Sequence, residues 1–457
     1  MSTLELTGDS FSVMSNTTEG FKRNIAEVWE DLSYELEPET LEGMGLFAFG
    51  SPNRAEMCPQ SDVDILFTST ATQADSGLRA DVIKRLQALP YDKIDIPPWE
   101  NLAVAKNNAV IGSPESDYAD ATFVAGDQAI GKDYDNLEIK EGFLNRQALQ
   151  HKLIFQRYFF DYRYSKKDDS MGVNLKYSPG GTRDFIYFDW FYDYQQGLAA
   201  RIGAETNTPQ IYDAINFLGV EGFLPGNEVQ QLWSAVEHVG FVKHAALELG
   251  KGTPQQGKAF MNLPTSIQLL QNYPAYFLSH GLTEPNQTID FYNSQRQIVY
   301  RNRNLLFTHT VQDLAIEKGA EWAEQFNEAN SKDALSVVDQ KNYVQADHFV
   351  KLAYIWKANN LADSSSLSRF AAQEKDSLDW NILASLLCSD HLPASAISVF
   401  AENQARLPNY EYLTRMIIKN KSTSAHTLQG LLSLPRLALS DIVDGEYRQL
   451  IAQKLES

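Results

Sequence analysis

Between residues 18 and 36, Phe21, Ile25, Val28, Trp29, Leu32 and Leu36 recur at helical spacing with polar residues between them. That period predicts an amphipathic helix starting at Thr17 or Thr18. Residues 1–16 are polar and read as loose. The period then changes. Leu46-Phe47-Ala48-Phe49 is a short apolar run that ends at Gly50-Ser51, which predicts a buried strand entering a tight turn. Further on, Val63, Ile65 and Phe67 alternate with Asp62, Asp64 and Leu66, the period of a second strand. A helix-like stretch at Ala80–Leu89 leads to Ile94-Asp95-Ile96, a third strand that Pro97-Pro98 stops. Asp117 to Gly126 reads as a helix that stops at its glycine.

From about Glu141 the texture becomes long and helical. Phe143–Tyr164, Arg183–Ile202, Asn227–Leu249 and Ile289–Gln325 carry the helical period, and a glycine-rich break separates the last two at residues 250–257. The final ~130 residues form short amphipathic helices. There, Leu387–Phe400 aligns with Ile418–Leu431 at an offset of 31, which suggests a small helical repeat, with chance similarity as the alternative. The expectation is an α+β chain: a small mixed-sheet domain at 1–140, a helical domain at 141–330 and a C-terminal helical domain at 331–457, repeat-like in its last part.

Composition narrows the function classes. With 457 residues and 43% hydrophobic content the chain can hold two or three ordinary cores. A formal charge of −20 argues against a general nucleic-acid-binding surface, which needs a basic footprint. The two cysteines, Cys58 and Cys388, lie far apart and build no disulfide framework, which points to the cytoplasm. No apolar run reaches membrane-spanning length, and the first ten residues lack the pattern of a signal peptide. The eight histidines have no metal-ligand spacing and read as structural or exposed.

The candidate chemistry sits on the first strands. Asp62 and Asp64 are two apart on one strand, so they point to the same face, about 6–7 Å from each other. Carboxylates at that distance repel unless a cation lies between them. Oxygen-only ligands suit Mg²⁺ shared with substrate phosphates, with Mn²⁺ as a substitute. Gly50 permits close approach of a phosphate to the backbone, and Ser51 adds a hydroxyl and an N–H. Arg54, in the loop between these strands, reads equally as a triphosphate contact or a solvated arginine. Cys58 reads as packing. Asp92 and Glu100 read as surface carboxylates. The segment Asn174-Leu175-Lys176-Tyr177-Ser178-Pro179-Gly180-Gly181-Thr182-Arg183-Asp184 has two readings. One is a structural turn with Asp184 in the first helical turn. The other is an anion site using free N–H groups at a helix start, with Lys176 and Arg183 adding charge. Pattern alone favours the first.

Gly50-Ser51, Asp62-x-Asp64 and the apolar-flanked Asp95 resemble the nucleotidyltransferase superfamily built like the polymerase beta palm. Followed in order by Asn174-Leu175-Lys176-x-x-Pro179-Gly180-Gly181-x-Arg183-Asp184, they resemble the bacterial PII uridylyltransferase family and the related glutamine synthetase adenylyltransferases. The resemblance covers residues ~20 to ~275. It implies Mg²⁺-dependent transfer of a nucleoside monophosphate, UMP above all, from a nucleoside triphosphate to a protein acceptor. Asp62, Asp64 and Asp95 would hold two Mg²⁺ ions, with Asp95 nearest the attacking hydroxyl. Gly50, Ser51, Arg54, Lys176 and Arg183 would contact the nucleotide. Full-length members of the family also carry a metal-dependent HD hydrolase domain and ACT sensor domains. No adjacent His-Asp pair occurs in this chain, which continues in helices instead. Two other readings stand beside this one. The acceptor could be a small molecule or RNA, or the chain could be a silent nucleotide-sensing or partner-binding module.

Overall fold

A computed structural model describes residues 10–49, 63–69, 76–89, 91, 94–95, 100–101, 121–134, 146–165, 172–197, 210–250, 259–331, 340–377, 379–403, 410–437 and 441–456. The protein is α+β: the described residues are mostly helical, with a small five-stranded sheet and a two-stranded one. Its residues fall into two compact units. The first comprises 1–109, 114–153 and 164–308; the second comprises 110–113, 154–163 and 309–457.

The first unit opens with α1 (Ser10–Glu35), which begins well before the threonines the sequence suggested. Residues from Ser10 on therefore correct the expectation of a loose N-terminal segment. A helix propagates cheaply once nucleated, and the apolar stripe from Phe21 to Leu32 supplies its anchor. A short helix α2 (Pro38–Leu41) leads into β1 (Met44–Phe49). β1 pairs antiparallel with β2 (Val63–Ser69) on one side and with β5 (Thr122–Gly126) on the other. After β2 come α3 (Ser76–Gln87) and β3 (Ile94–Asp95), which lies parallel to β2. β4 (Glu100–Asn101) continues along β2 in the same sense.

The strand β5 overturns the expected helix ending at Gly126. Thr122, Phe123 and Val124 favour a pleated surface, and the open edge of β1 supplies the ladder partner. Gly126 has φ of +128° and faces the backbone of Met44 and Gly45 so closely that a Cβ would lie 2.5 Å from the Met44 carbonyl oxygen. It serves the strand rather than capping a helix.

Rung by rung, the sheet has two faces. Leu46, Ala48, Ile65 and Phe67 are buried in a core with Phe21, Ile25, Trp29 and Leu32 of α1 and Leu78, Val82 and Leu86 of α3. Phe47 pairs with Leu66 and therefore belongs to the other face, where its ring meets Phe123 edge-on. α4 (Gln128–Tyr134) follows β5 and is tied back by Asp127, whose carboxylate accepts N–H bonds from Ala129 and Gly43.

The helical part of the first unit includes residues 146–153 of α5 (Arg146–Ser165), then α6 (Phe185–Gln196), α7 (Gln210–Val220) and α8 (Gly226–Leu249). α6 is shorter than the predicted Arg183–Ile202: Gly197, with φ of +75°, ends it. α1 touches α8, so the sheet and this helical layer share an element. A two-stranded ribbon of β6 (Val173–Asn174) and β7 (Phe260–Met261) precedes α9 (Leu263–Asn272), α10 (Pro274–Ser279) and α11 (Pro285–Lys318). The expected single helix over 289–325 is two, α11 and α12 (Ala320–Asn330). Gly319 separates them with φ of +91°, a conformation that a helix cannot contain.

The second unit is a stack of helices: α12, α13 (Gln340–Gln345), α14 (His348–Asn360), α15 (Ser364–Glu374), α16 (Trp380–Leu387), α17 (Ala394–Glu402), α18 (Tyr410–Lys419), α19 (Ala425–Leu432) and α20 (Asp441–Glu456). α12, α14, α16, α18 and α20 pack each on the next. α13, α15, α17 and α19 form a parallel series in the same way. The sequence offset of 31 falls on two neighbouring pairs, α16–α17 and α18–α19. Contacts between successive copies, rather than one central core, are the organisation of a solenoid. No helix among the described residues is long and apolar enough to cross a membrane.

Candidate active site

Three features of the sequence meet on one rung of the sheet. Phe49, the last residue of β1, pairs with Asp64 of β2, and Asp64 pairs in turn with Asp95 of β3. Gly50 is the next residue in the chain after Phe49. Neighbouring strands lie ~4.8 Å apart, and positions opposite each other in a ladder share a face. Asp64 therefore shares its face with Leu66, away from the α1–α3 layer that covers Ile65 and Phe67. Its side chain is half-buried.

The chemistry of this rung suits a hard cation. Asp64 and Asp95 are two carboxylate positions one strand spacing apart, and carboxylate oxygens are the donors Mg²⁺ takes. Asp62, Gly50, Ser51, Arg54, Cys58 and Asp92 lie outside the described residues. Glu100, on β4, pairs with Thr68 of β2, four residues along that strand from Asp64. Among the described residues no three His, Cys, Asp or Glu groups converge as a metal cluster.

The second candidate element, Lys176 to Asp184, is a turn closed by its own backbone. The Thr182 N–H donates to the Leu175 carbonyl at 3.1 Å and the Arg183 N–H to the Lys176 carbonyl at 2.9 Å. The Gly181 and Asp184 N–H groups donate to Ser178 and Gly181, and the Gly180 N–H donates to the Asp184 carboxylate at 2.7 Å. Every N–H from Gly180 to Asp184 is thus engaged inside the turn. This corrects the reading of an anion site made of free N–H groups and leaves the structural turn, with Lys176 and Arg183 as the cations it carries. Both are half-buried, and the Lys176 ammonium stands 5.2 Å from the centre of the Tyr177 ring.

Two residues of this element escaped the sequence reading. Arg303 of α11 donates to the other Asp184 oxygen at 2.9 Å, both side chains being buried. Arg296, two helical turns earlier, donates to the Pro179 carbonyl at 2.9 Å. Their seven-residue spacing puts them on one helix face, a signal present in the sequence but indistinct within a long polar helix.

Of the histidines, His238 is buried against Tyr276, Phe277 and Phe291. Its Nδ1 lies 2.9 Å from the Tyr276 hydroxyl, and burial pushes its pKa down to about 3. It is a neutral core residue far from the rung in sequence and in role. Cys388 is not in a disulfide, and its Sγ donates to the Ser385 carbonyl.

No family model matches the chain, and no curated protein matches it.

Proposed function

We propose that this protein is a Mg²⁺-dependent nucleotidyltransferase that moves a nucleoside monophosphate, UMP above all, from its triphosphate to a protein acceptor in the cytoplasm. The observation that carries the reading is the rung itself. Phe49, Asp64 and Asp95 stand side by side on three strands, and in the sequence Gly50-Ser51 follows the first strand and Asp62 precedes the second. Asp62, Asp64 and Asp95 would hold the metal, which when bound supplies positive charge for the triphosphate and lowers the pKa of the acceptor hydroxyl. Asp95 would orient that hydroxyl and accept its proton. Gly50 and Ser51 would seat the phosphates through backbone N–H and hydroxyl donors. Attack at the α-phosphorus forms one P–O bond to the acceptor and breaks the bond to the leaving pyrophosphate.

The test uses purified full-length protein, each labelled nucleoside triphosphate and Mg²⁺ in native cell extract. Pyrophosphate release with label on a protein band is the expected result. Asp64→Asn and Asp95→Asn should each lower release by at least about a hundredfold, since both remove charge from the metal-binding set. Unchanged release in either variant overturns the assignment. Label on RNA or on a small molecule keeps the chemistry and replaces the acceptor.

A further inference from the structure

We infer that α10 is an acid-released latch: the neutral imidazole of His238 on α8 holds it closed, and proton uptake by that ring lets α10 part from α8 and α11. The inference stands apart from the transferase reading and uses none of its residues.

α10 is six residues long, and it meets His238 through Tyr276, Phe277 and its C-terminal cap His280. The Tyr276 ring stacks on the imidazole with centroids 5.7 Å apart, and Phe277 meets it edge-on at 6.5 Å. The His280 ring stands 5.7 Å away. Phe291 of α11 closes the shell edge-on at 4.6 Å. Phe241, one turn along α8 from His238, stacks on Tyr276 as well. His238, itself 1% exposed, thus lies at the centre of the contact between the three helices. α10 also has its own boundaries in the chain: Pro274 at its start, and Gly281, with φ of +71°, just past its end.

The contact has no place for an imidazolium. A neutral imidazole has one N–H donor, and its protonated form has two. Nδ1 lies 2.9 Å from the Tyr276 hydroxyl, and Nε2 is buried with no hydrogen-bond partner among the described residues. Burial holds the Tyr276 hydroxyl protonated, well above the usual phenol range, so no phenolate faces the ring. From α10 the charge that bears on His238 is that of His280, which opposes a second positive charge. Glu237 on α8 acts on Tyr276, and Asp290, beside Phe291 on α11, is exposed. Desolvation first, and then His280, hold His238 at a pKa of about 3 in the closed state. Once α10 parts from α8, both ring nitrogens meet water and the proton binds near the ordinary ~6.5. Between those values the open form binds more protons, so acid favours opening.

The experiment is hydrogen exchange of the full chain, read by mass spectrometry and corrected for the intrinsic pH dependence of amide exchange. From about pH 7.5 to about pH 5 the opening constant of the α10 segment should rise about thirtyfold, with its onset near ~6.5. The rise should be insensitive to low denaturant, the mark of local opening, and the helices of the second unit should not share it. His238→Phe should flatten the rise, whereas His280→Gln should keep it. A wild-type opening constant that stays level across that range overturns the latch, whether or not the His238 variant folds. A rise confined to amides that exchange through global unfolding, with the matching denaturant dependence, overturns it too. Loss of the rise in His280→Gln but not in His238→Phe overturns the assignment to His238.

Discussion

At the scale of single residues, burial and charge separate groups that do chemistry from groups that hold the fold. Asp64 is half-buried on a strand beside another aspartate position, an arrangement that costs stability unless something positive joins it. His238 is the opposite case. It is kept neutral by burial, with a pKa near 3, whereas the unfolded chain takes up its proton near the ordinary value of ~6.5. Between those values the unfolded state binds more protons, so stability should fall as pH drops from about 6.5 toward 3. Denaturant midpoints across that range, compared between wild type and His238→Phe, check this. The variant should lose a part of the acid sensitivity worth on the order of a few kcal/mol. An identical pH slope in both would show that His238 is not the responsible group.

At the scale of elements, capping and register decide where each piece stops. Asp127 joins β5 to α4 and ties both to the start of β1, because one oxygen accepts the Ala129 N–H and the other the Gly43 N–H. Those bonds hold its carboxyl below the usual carboxylate range. Their contribution is present at neutral pH and fades as acid protonates the group. Asp127→Ala should cost about 1 kcal/mol, the usual worth of such a cap, read as a lower chemical-denaturation midpoint. This scale also marks what the sequence makes legible. The strands β1 and β2 were readable because their own apolar residues alternate or cluster, and that pattern put Asp64 on a strand in advance. β5 was not, because a five-residue strand owes its state to the edge of β1, some eighty residues away. The break at Gly319 was hidden inside a helical period that resumes immediately after it. The closure of the Lys176–Asp184 turn was hidden too, since its partners Arg296 and Arg303 lie over a hundred residues downstream.

At the scale of the whole molecule, the two compact units follow different logics. The first has a sheet, a core beneath it and a turn braced from a distant helix. The second is a run of helix pairs in which each copy leans on the next. Asn420 shows how tightly adjacent copies are stitched: its amide donates to the carbonyls of Leu387, the last residue of α16, at 2.7 Å and of Ser389, just after that helix, at 2.8 Å. Asn420→Ala leaves two buried acceptors unmet and should cost roughly 2–3 kcal/mol. Hydrogen exchange should register the loss first in α16 to α19, with the sheet unaffected. Uniform loss of protection across both units would contradict the nearest-neighbour organisation. The repeat offset was visible in only two copies because the other pairs share spacing and not side chains.

The strand β3 is two residues long, so the side of the sheet on which Asp95 stands is a matter of parity. Adding or removing a single amino acid between Gln87 and Ile94, if the ladder re-forms one step out, would turn that acid toward the oily layer under α1. Two such additions would restore its side while shifting it by a step. The count of residues in that connection is therefore held to even steps, while Leu89 and Tyr91 within it are fixed by packing on the core under α1.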